Sequence, residues 1–195
     1  MSNETKDRFS VQKLALLGMM TALVFASNYA RIVLPIAIGG NTAFTLANIL
    51  CCMSGLVLGP VGGLAAGLGS AIYDLTFPAY AAECWITFIT KGTMGLVAGL
   101  AVKKALGEDK LTYPKALTGA VLGCVTYYIL YFTKSVFYNG MLLESLSLSV
   151  ALGVLPLKLP ASIFNAAVAI IGAPPLTIAV RTALKRAGLG RLTKA

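Results

Sequence analysis

Long apolar stretches separated by short polar connections dominate the chain. Runs of about 18 or more mostly apolar residues are typical of transmembrane helices. Such runs occur at Lys13–Leu34, Thr42–Leu58, Pro60–Phe77, Trp85–Val102, Leu117–Phe137 and Leu157–Leu184. The pattern predicts an all-α integral membrane protein, a compact bundle of six transmembrane helices that forms a single domain over residues 1–195.

Three local features refine this prediction. Gly59-Pro60, between the second and third stretches, indicates a tight turn on the cytoplasmic side. Met141–Leu155 fits either an interfacial helix or the beginning of the sixth span. The first stretch has a basic flank and a "VFAS" sequence like those of cleaved signal peptides. Because its apolar run continues past that point, we interpret it as a span.

Composition agrees with a membrane location. Hydrophobic residues make up 57% of the chain and charged residues only 12%, about half the charged fraction of a soluble domain. The basic residues collect in three places, namely the N-terminal segment 1–12 with Lys13, the connection 103–115, and the basic tail 185–195 together with Arg181 just before it. With six spans these segments share one side, which the positive-inside rule makes cytoplasmic. Both termini are therefore predicted to be cytoplasmic.

The net charge of +9 needs no nucleic-acid partner, since anionic lipid headgroups are the expected counterpart of these basic segments. The chain has no histidine, and its four cysteines form no CxxC pair. We therefore expect no metal or cofactor. There is no GxxxxGK[ST] loop, and the seven acidic residues are scattered. The sequence does not indicate an enzyme.

Small residues recur at helical spacing in two of the predicted spans. Along the stretch 56–78, which contains the third span, they form two rows, Gly59, Gly63, Gly67 and Gly62, Ala66, Ser70. In the first span the row is Gly18, Ala22, Ala26. Such rows let helix backbones approach closely within a membrane. We interpret the rows of the third span as internal packing. The row of the first span fits either internal packing or a groove for the helix of another protein.

Ionisable side chains in or near the spans form the most informative pattern. With the predicted orientation, all of them fall in the extracellular half, namely Arg31, Asp74, Glu83, Lys91, Lys134 and Lys158. A charge within a span is costly and marks a functional site or an ion pair by default. Asp74 fits either pairing with one of the lysines or closing the helix end beside a site.

Aromatic and amide side chains fall at the same level, and the candidates for ligand contact among them are Tyr80, Trp85, Tyr138, Asn139 and Asn165. Together with the charges they predict an outward-facing pocket for a small organic molecule. The alternative is an ordinary interfacial belt of aromatic residues and snorkelling lysines. The excess of basic groups favours a substrate with a carboxylate or phosphate.

The stretch "NILCCMSGLVLGPVGGLAAGLGSAIYDLTFP" resembles the substrate-binding S-components of energy-coupling factor (ECF) transporters, the vitamin-uptake members of the ABC superfamily. Many members carry G-x-x-L-G-P at the end of the second span, then G-x-x-x-G and an outer acidic residue in the third. Here those positions are Gly55, Leu58, Gly59, Pro60, Gly63, Gly67 and Asp74. Ala22 and Ala26 resemble the family's A-x-x-x-A contact motif.

The resemblance implies a subunit of a prokaryotic cytoplasmic membrane that binds a vitamin or related micronutrient from outside. It would dock through its first helix onto a transmembrane T-component, and two cytoplasmic ATPases would drive the cycle. Release would follow from toppling of the subunit in the membrane. The family's pockets also use the loop after the first span, here Arg31–Asn41, as a gate, which makes Asn41 a further candidate contact. No single vitamin is indicated.

Two other functions remain open from the sequence. A stand-alone secondary transporter or channel would need an internal repeat or discontinuous helices, and no clear repeat is visible. A membrane enzyme or assembly factor would need a catalytic cluster, which the pattern does not show.

Overall fold

The computed structural model describes residues 11–34 and 42–193. Its α-helices are α1 Val11–Ser27, α2 Ala47–Leu58, α3 Gly62–Leu75, α4 Pro78–Ala81, α5 Cys84–Gly107, α6 Tyr113–Thr133, α7 Leu148–Gly153 and α8 Leu155–Arg186. A π-helical segment, Lys134–Leu143, extends α6, and 3-10 turns occupy Gly59–Val61 and Gly190–Thr193. Two short strands, β1 Arg31–Leu34 and β2 Thr42–Thr45, complete the described fold.

Four helical segments of the described chain are long and apolar enough to cross a membrane. They are Ala47–Leu75, Cys84–Gly107, Tyr113–Leu143 and Leu148–Arg186, whereas the apolar helix α1 has 17 residues. The first of these segments is folded back on itself: Ser54 Oγ donates to the Gly62 carbonyl at 2.9 Å, and Cys51 Sγ lies 3.7 Å from Ser70 Oγ. Helices α2 and α3 therefore form an antiparallel hairpin with its turn at Gly59, where φ is 70°, an angle that glycine adopts without strain.

The small residues of α3 pack inside the bundle, as predicted. A Cβ on Gly63 would lie 2.6 Å from the Gly92 carbonyl oxygen, and one on Gly67 would lie 2.8 Å from that of Phe88. Helix α3 therefore lies directly against the backbone of α5. Across the hairpin a Cβ on Gly62 would lie 2.0 Å from the carbonyl oxygen of Ser54. These distances leave no room for any larger side chain.

The apolar core lies between α2, α5, α6 and α8. Leu56, Met94 and Ala98 are fully buried in it together with three free thiols, those of Cys51, Cys52 and Cys124. These cysteines fill space as small apolar residues, which is the role that their positions in the sequence indicated.

The structure differs from the predicted spans at both ends of the first connection. The first span was predicted to reach Leu34 and the second to begin at Thr42, but α1 ends at Ser27 and α2 begins at Ala47. Between them, Arg31–Leu34 and Thr42–Thr45 pair as the antiparallel β1–β2 hairpin, with Arg31 opposite Thr45 and Leu34 opposite Thr42. In the run "RIVL" Arg31 is followed by three apolar residues, two of them β-branched. Length alone therefore did not separate the run from the preceding helix.

The segment that the sequence left undecided, Met141–Leu155, contains several elements. The π-helical segment continues to Leu143, the short helix α7 covers Leu148–Gly153, and α8 begins at Leu155. Ser145, between the first two, has φ of 52°. The chain thus turns sharply there before it enters α8.

Candidate functional site

A cavity of about 150 Å³ lies at the end of the bundle away from Val11 and Arg186. The β-hairpin, the C-terminal end of α3, the beginning of α5, the later part of α6 and the first third of α8 surround it. The lining side chains are Asn28, Arg31, Val33, Thr42, Ala43, Thr45, Asp74, Tyr80, Glu83, Thr87, Thr90, Lys91, Tyr127, Tyr128, Tyr131, Lys134, Ser162 and Asn165. Hydroxyls, amides, aromatic rings and charges thus converge at one place in an otherwise apolar bundle.

Strand β2 is fixed to α8 through one side chain. Asn165 Oδ1 accepts a 2.7 Å hydrogen bond from the Thr45 amide, and Asn165 Nδ2 donates at 2.7 Å to the Ala43 carbonyl. The strand's edge that does not face β1 thereby gains a donor and an acceptor for its backbone groups. On the other side of the cavity, Tyr131 Oη donates to Thr42 Oγ1 at 3.2 Å. Strand β2 is therefore a wall of the cavity held at both ends.

Strand β1 is held by its first residue. The Arg31 guanidinium lies 4.5 Å from the ring centre of Tyr73 and 4.7 Å from that of Tyr80. Both distances are within the range of cation–π attraction. Phe77 adds a third ring at 5.9 Å. Arg31 thus ties the hairpin to α3 and α4 across the cavity from Asn165.

Lys91 lies at the inner end of the cavity and is 7% exposed. Its ammonium donates to Asn48 Oδ1 and lies 4.3 Å from the ring centre of Tyr127. Asn48 in turn donates to Tyr128 Oη at 3.2 Å. Within residues 11–34 and 42–193 no carboxylate pairs with Lys91. A buried cation with only neutral partners is left able to bind an electron-rich group of a ligand.

Glu83 accepts two hydrogen bonds at the rim of the cavity, at the end opposite Lys91. It accepts from Lys134 Nζ at 2.5 Å and from Asn139 Nδ2 at 2.5 Å. The two donors come from the π-helical segment, whose wider turns present Lys134 and Asn139 to the same acceptor. Since Lys134 and Glu83 neutralise each other, they contribute little net charge to the cavity.

Asp74 is 8% exposed and lines the cavity. The sequence allowed it to pair with one of the lysines. Among the described residues its carboxylate has no Lys or Arg nitrogen within salt-bridge distance. Asp74 therefore belongs to the lining of the cavity without an ion pair among the described residues.

The structure brings together most of the candidate contacts that the sequence proposed. Those that line the cavity are Arg31, Asp74, Tyr80, Glu83, Lys91, Lys134 and Asn165. Asn139 and Lys158 lie just behind the lining, where Lys158 Nζ donates to Ser135 Oγ at 2.7 Å. Trp85 and Tyr138 pack edge to face at 6.0 Å, with Trp85 53% exposed. Asn41 lies outside the described residues.

Sequence reasoning missed the tyrosines of α6. Tyr127 and Tyr131 stack with their ring centres 5.9 Å apart, and Tyr128 packs edge to face on Tyr127 at 4.9 Å. Their positions in the sequence could have identified them, because all three tyrosines fall in the interior of a predicted span and not at its ends. Tyrosine at that depth needs a polar partner for its hydroxyl. The lining threonines and Ser162 carried no comparable signal.

The predicted row on α1 faces outward. Gly18, Ala22 and Ala26 are all exposed, and a Cβ on Gly18 would meet nothing within 4 Å. The opposite face of α1 buries Leu16 and Met20 in the bundle. The row therefore does not pack against the described part of the bundle. Internal packing was one of the two interpretations of the row, and a groove for the helix of another protein was the other.

A family model described as ECF-type riboflavin transporter, S component, matches residues 8–182. The chain belongs to this family. It is therefore an ECF S-component, a substrate-binding subunit of a vitamin-uptake transporter and not an enzyme. A search of the curated proteins found no sequence that matches the chain. The family assignment agrees with a polar, aromatic cavity in an apolar helical bundle. It also confirms the resemblance seen in the motifs of the second and third stretches.

No group of His, Cys, Asp and Glu side chains suited to a metal ion occurs in the part of the S-component that the structure describes. The cavity lining offers hydroxyl and amide groups for hydrogen bonds, three tyrosine rings for stacking and one buried ammonium.

Proposed function

We propose that this S-component captures riboflavin from outside the cell in the cavity beneath the β-hairpin. The observation that carries the proposal is the cavity itself, found in a member of a family described as riboflavin transporter S-components. A flavin has a flat aromatic ring system with carbonyl and imide groups at one edge, and a side chain of hydroxyls. The stacked tyrosines suit the ring, Lys91 suits a carbonyl, and the threonines, Ser162 and Asn28 suit the hydroxyls.

The candidate contacts from the sequence keep their roles in this proposal. Those on the lining would touch the ligand directly. Asn139 and Lys158 would orient the contact residues in front of them, Trp85 and Tyr138 would lie at the outer rim, and Asn41 would act from the hairpin connection. The cavity of about 150 Å³ is smaller than the roughly 300 Å³ or more of typical ligand sites. We propose that the hairpin moves away from α3 and α4, where Arg31 holds it, when riboflavin enters.

The proposed orientation has six membrane crossings and both termini in the cytoplasm of a prokaryotic cell. The hairpin arms α2 and α3 would count as two crossings, with α1 as the first. The cavity then opens outward and the basic segments face inward, as the positive-inside rule requires. A cysteine-accessibility map that placed Arg31 and Lys185 on the same side would contradict this topology.

The coupled cycle needs partners. We propose that the exposed row Gly18, Ala22, Ala26 docks onto a helix of a T-component, which two ABC ATPases drive. Small residues on an exposed helix face let a partner backbone approach closely in the membrane. The chain has no ATPase motif of its own, so ATP hydrolysis falls to the partners.

The first experiment is mass spectrometry of small molecules released from the purified S-component. We expect riboflavin at about one molecule per chain, as for a tight site that retains its ligand. A thermal-shift series of vitamins on ligand-free protein is the matched measurement, and riboflavin should give the largest shift. A larger shift with another vitamin would overturn the substrate, and uptake by the chain alone in proteoliposomes would overturn the coupled mechanism.

A further inference from the structure

The C-terminal 3-10 turn, Gly190–Thr193, packs into the cytoplasmic end of the bundle. Leu192 is 6% exposed and Thr193 only 1%. Gly188, with φ of 75°, reverses the chain after α8 and brings the turn back against the helices. A charged tail would ordinarily extend into water, so this burial has to be explained by what the turn contacts.

Arg181 of α8 holds the turn in place. Its Nη1 donates to the Thr193 carbonyl at 2.8 Å, and its Nη2 donates to Asp109 Oδ1 at 3.0 Å. Lys185 Nζ lies 2.9 Å from the same carboxylate oxygen. Arg181 is 4% exposed, so its planar fork is satisfied by groups from two separate segments. The turn, α8 and the connection between α5 and α6 are thereby joined.

The turn also contacts the back of α1. Leu192 belongs to one apolar cluster with Leu16, Leu17 and Met20 of α1. Beside this cluster Arg191 Nη2 donates to Gln12 Oε1 at 2.8 Å. The cytoplasmic half of α1 therefore rests on the turn through both an apolar contact and a hydrogen bond.

The front of α1 carries the exposed row Gly18, Ala22, Ala26. A helix that must present such a row to a partner loses less entropy on docking if its position is already fixed. The turn supplies this support at the cytoplasmic half, where α1 begins at Val11. The cavity lies at the other end of the bundle and shares none of these residues.

We propose that the turn 190–193, held by Arg181, is a positioning element that fixes α1 for assembly with the T-component. The inference rests on the proposed docking through α1. It predicts that loosening the turn weakens assembly and leaves riboflavin binding intact. Docking and capture are thus controlled from opposite ends of the molecule.

The test compares Leu192→Ser with Arg186→Ala in the full chain. Arg186 is the last residue of α8 and is exposed. Arg186→Ala is therefore the control, because it shortens a side chain near the turn without removing an apolar contact. We expect Leu192→Ser to weaken assembly with the T-component and ATPases about tenfold, within the range of typical coupling between sites. Riboflavin affinity should stay unchanged, and Arg186→Ala should assemble like the wild type. Binding of the purified partner module to nanodisc-embedded S-component measures the first quantity.

A second variant, Arg191→Ala, removes only the hydrogen bond to Gln12 and keeps the apolar cluster. We expect it to weaken assembly about threefold, and it decides the question if Leu192→Ser does not fold. Hydrogen exchange should quicken at residues 11–20 in both variants and stay unchanged around Tyr127. Wild-type assembly by either folded variant would overturn the positioning role. Failure of the wild type itself to assemble would instead overturn the proposed docking.

Discussion

Two buried cations at opposite ends of the bundle have contrasting partners. Lys91, beside the cavity, is 7% exposed and contacts an amide oxygen and an aromatic ring. Arg181, at the end opposite the cavity, is 4% exposed and bonds a carboxylate and a backbone carbonyl. Both are equally removed from water, so burial alone does not distinguish their roles.

The difference lies in what each charge is paired with. Arg181 is neutralised by Asp109 and its donors are directed at fixed protein groups, as expected of a structural ion pair. Lys91 has only neutral partners among the described residues and faces a cavity. A cation kept in this state is costly in the empty protein and gains most when a ligand arrives. We therefore expect opposite consequences when each side chain is replaced.

The largest effect should come from Lys91→Met. The change removes the charge but keeps most of the apolar volume, so riboflavin affinity should fall about 100-fold, which corresponds to about 2.7 kcal/mol. The empty protein should be as stable as the wild type or more so, because an unneutralised buried charge has been removed. Fluorescence titration of riboflavin and a thermal melt of the ligand-free variant measure the two quantities. Unchanged affinity would remove Lys91 from the site.

Arg181→Met should show the reverse pattern. Two hydrogen bonds from a charged group are lost and the C-terminal turn is released, so the free energy of unfolding should fall by about 2 kcal/mol. For a chain of this size that corresponds to a lower thermal midpoint by roughly 5 °C. Riboflavin affinity should not change, since the cavity lies at the other end. A loss of affinity as large as that of Lys91→Met would show that the two ends are not independent.

The smallest effect concerns pH. The hydrogen bond from Lys185, together with that from Arg181, holds the pKa of Asp109 below its usual range. A carboxyl group with a lowered folded-state pKa contributes stability above its unfolded-state pKa of about 3.9, and that contribution is lost as pH falls through the folded value. The Asp109 side chain is 35% exposed, so the contribution is modest.

The measurement for this last prediction is a pair of melting series, wild type and Asp109→Asn, from neutral to acidic pH. The wild type should be more stable at neutral pH, and the two curves should converge below about pH 4. A constant difference between the curves at every pH would mean that the ionised carboxylate is not what stabilises the turn.

The sequence predicted the helical bundle and the convergence of charges because apolar run length and the cost of a membrane charge are strong, local signals. It placed Arg31, Asp74, Glu83 and Lys91 at one level, and the structure puts all four around one cavity. It could not predict the β-hairpin, because Ile32, Val33 and Leu34 add further apolar residues to the run of the first span. Arg181 was read simply as part of a basic tail, since its partner Asp109 lies 72 positions away and only the fold brings them together.

Helix α3 has a consequence for the surrounding bilayer. Its face opposite α5 exposes Leu64, Leu68, Ile72 and Leu75, a stripe suited to lipid chains. Its 14 residues reach about 21 Å, whereas the hydrocarbon core of a typical bilayer is about 30 Å thick. In the proposed orientation, where α3 is a crossing of its own, the hydrophobic thickness of the protein is uneven around its circumference, and lipid beside α3 must thin or the bundle must lean. The S-component thus has a thin side, and hydrophobic mismatch gives it a preferred direction of tilt.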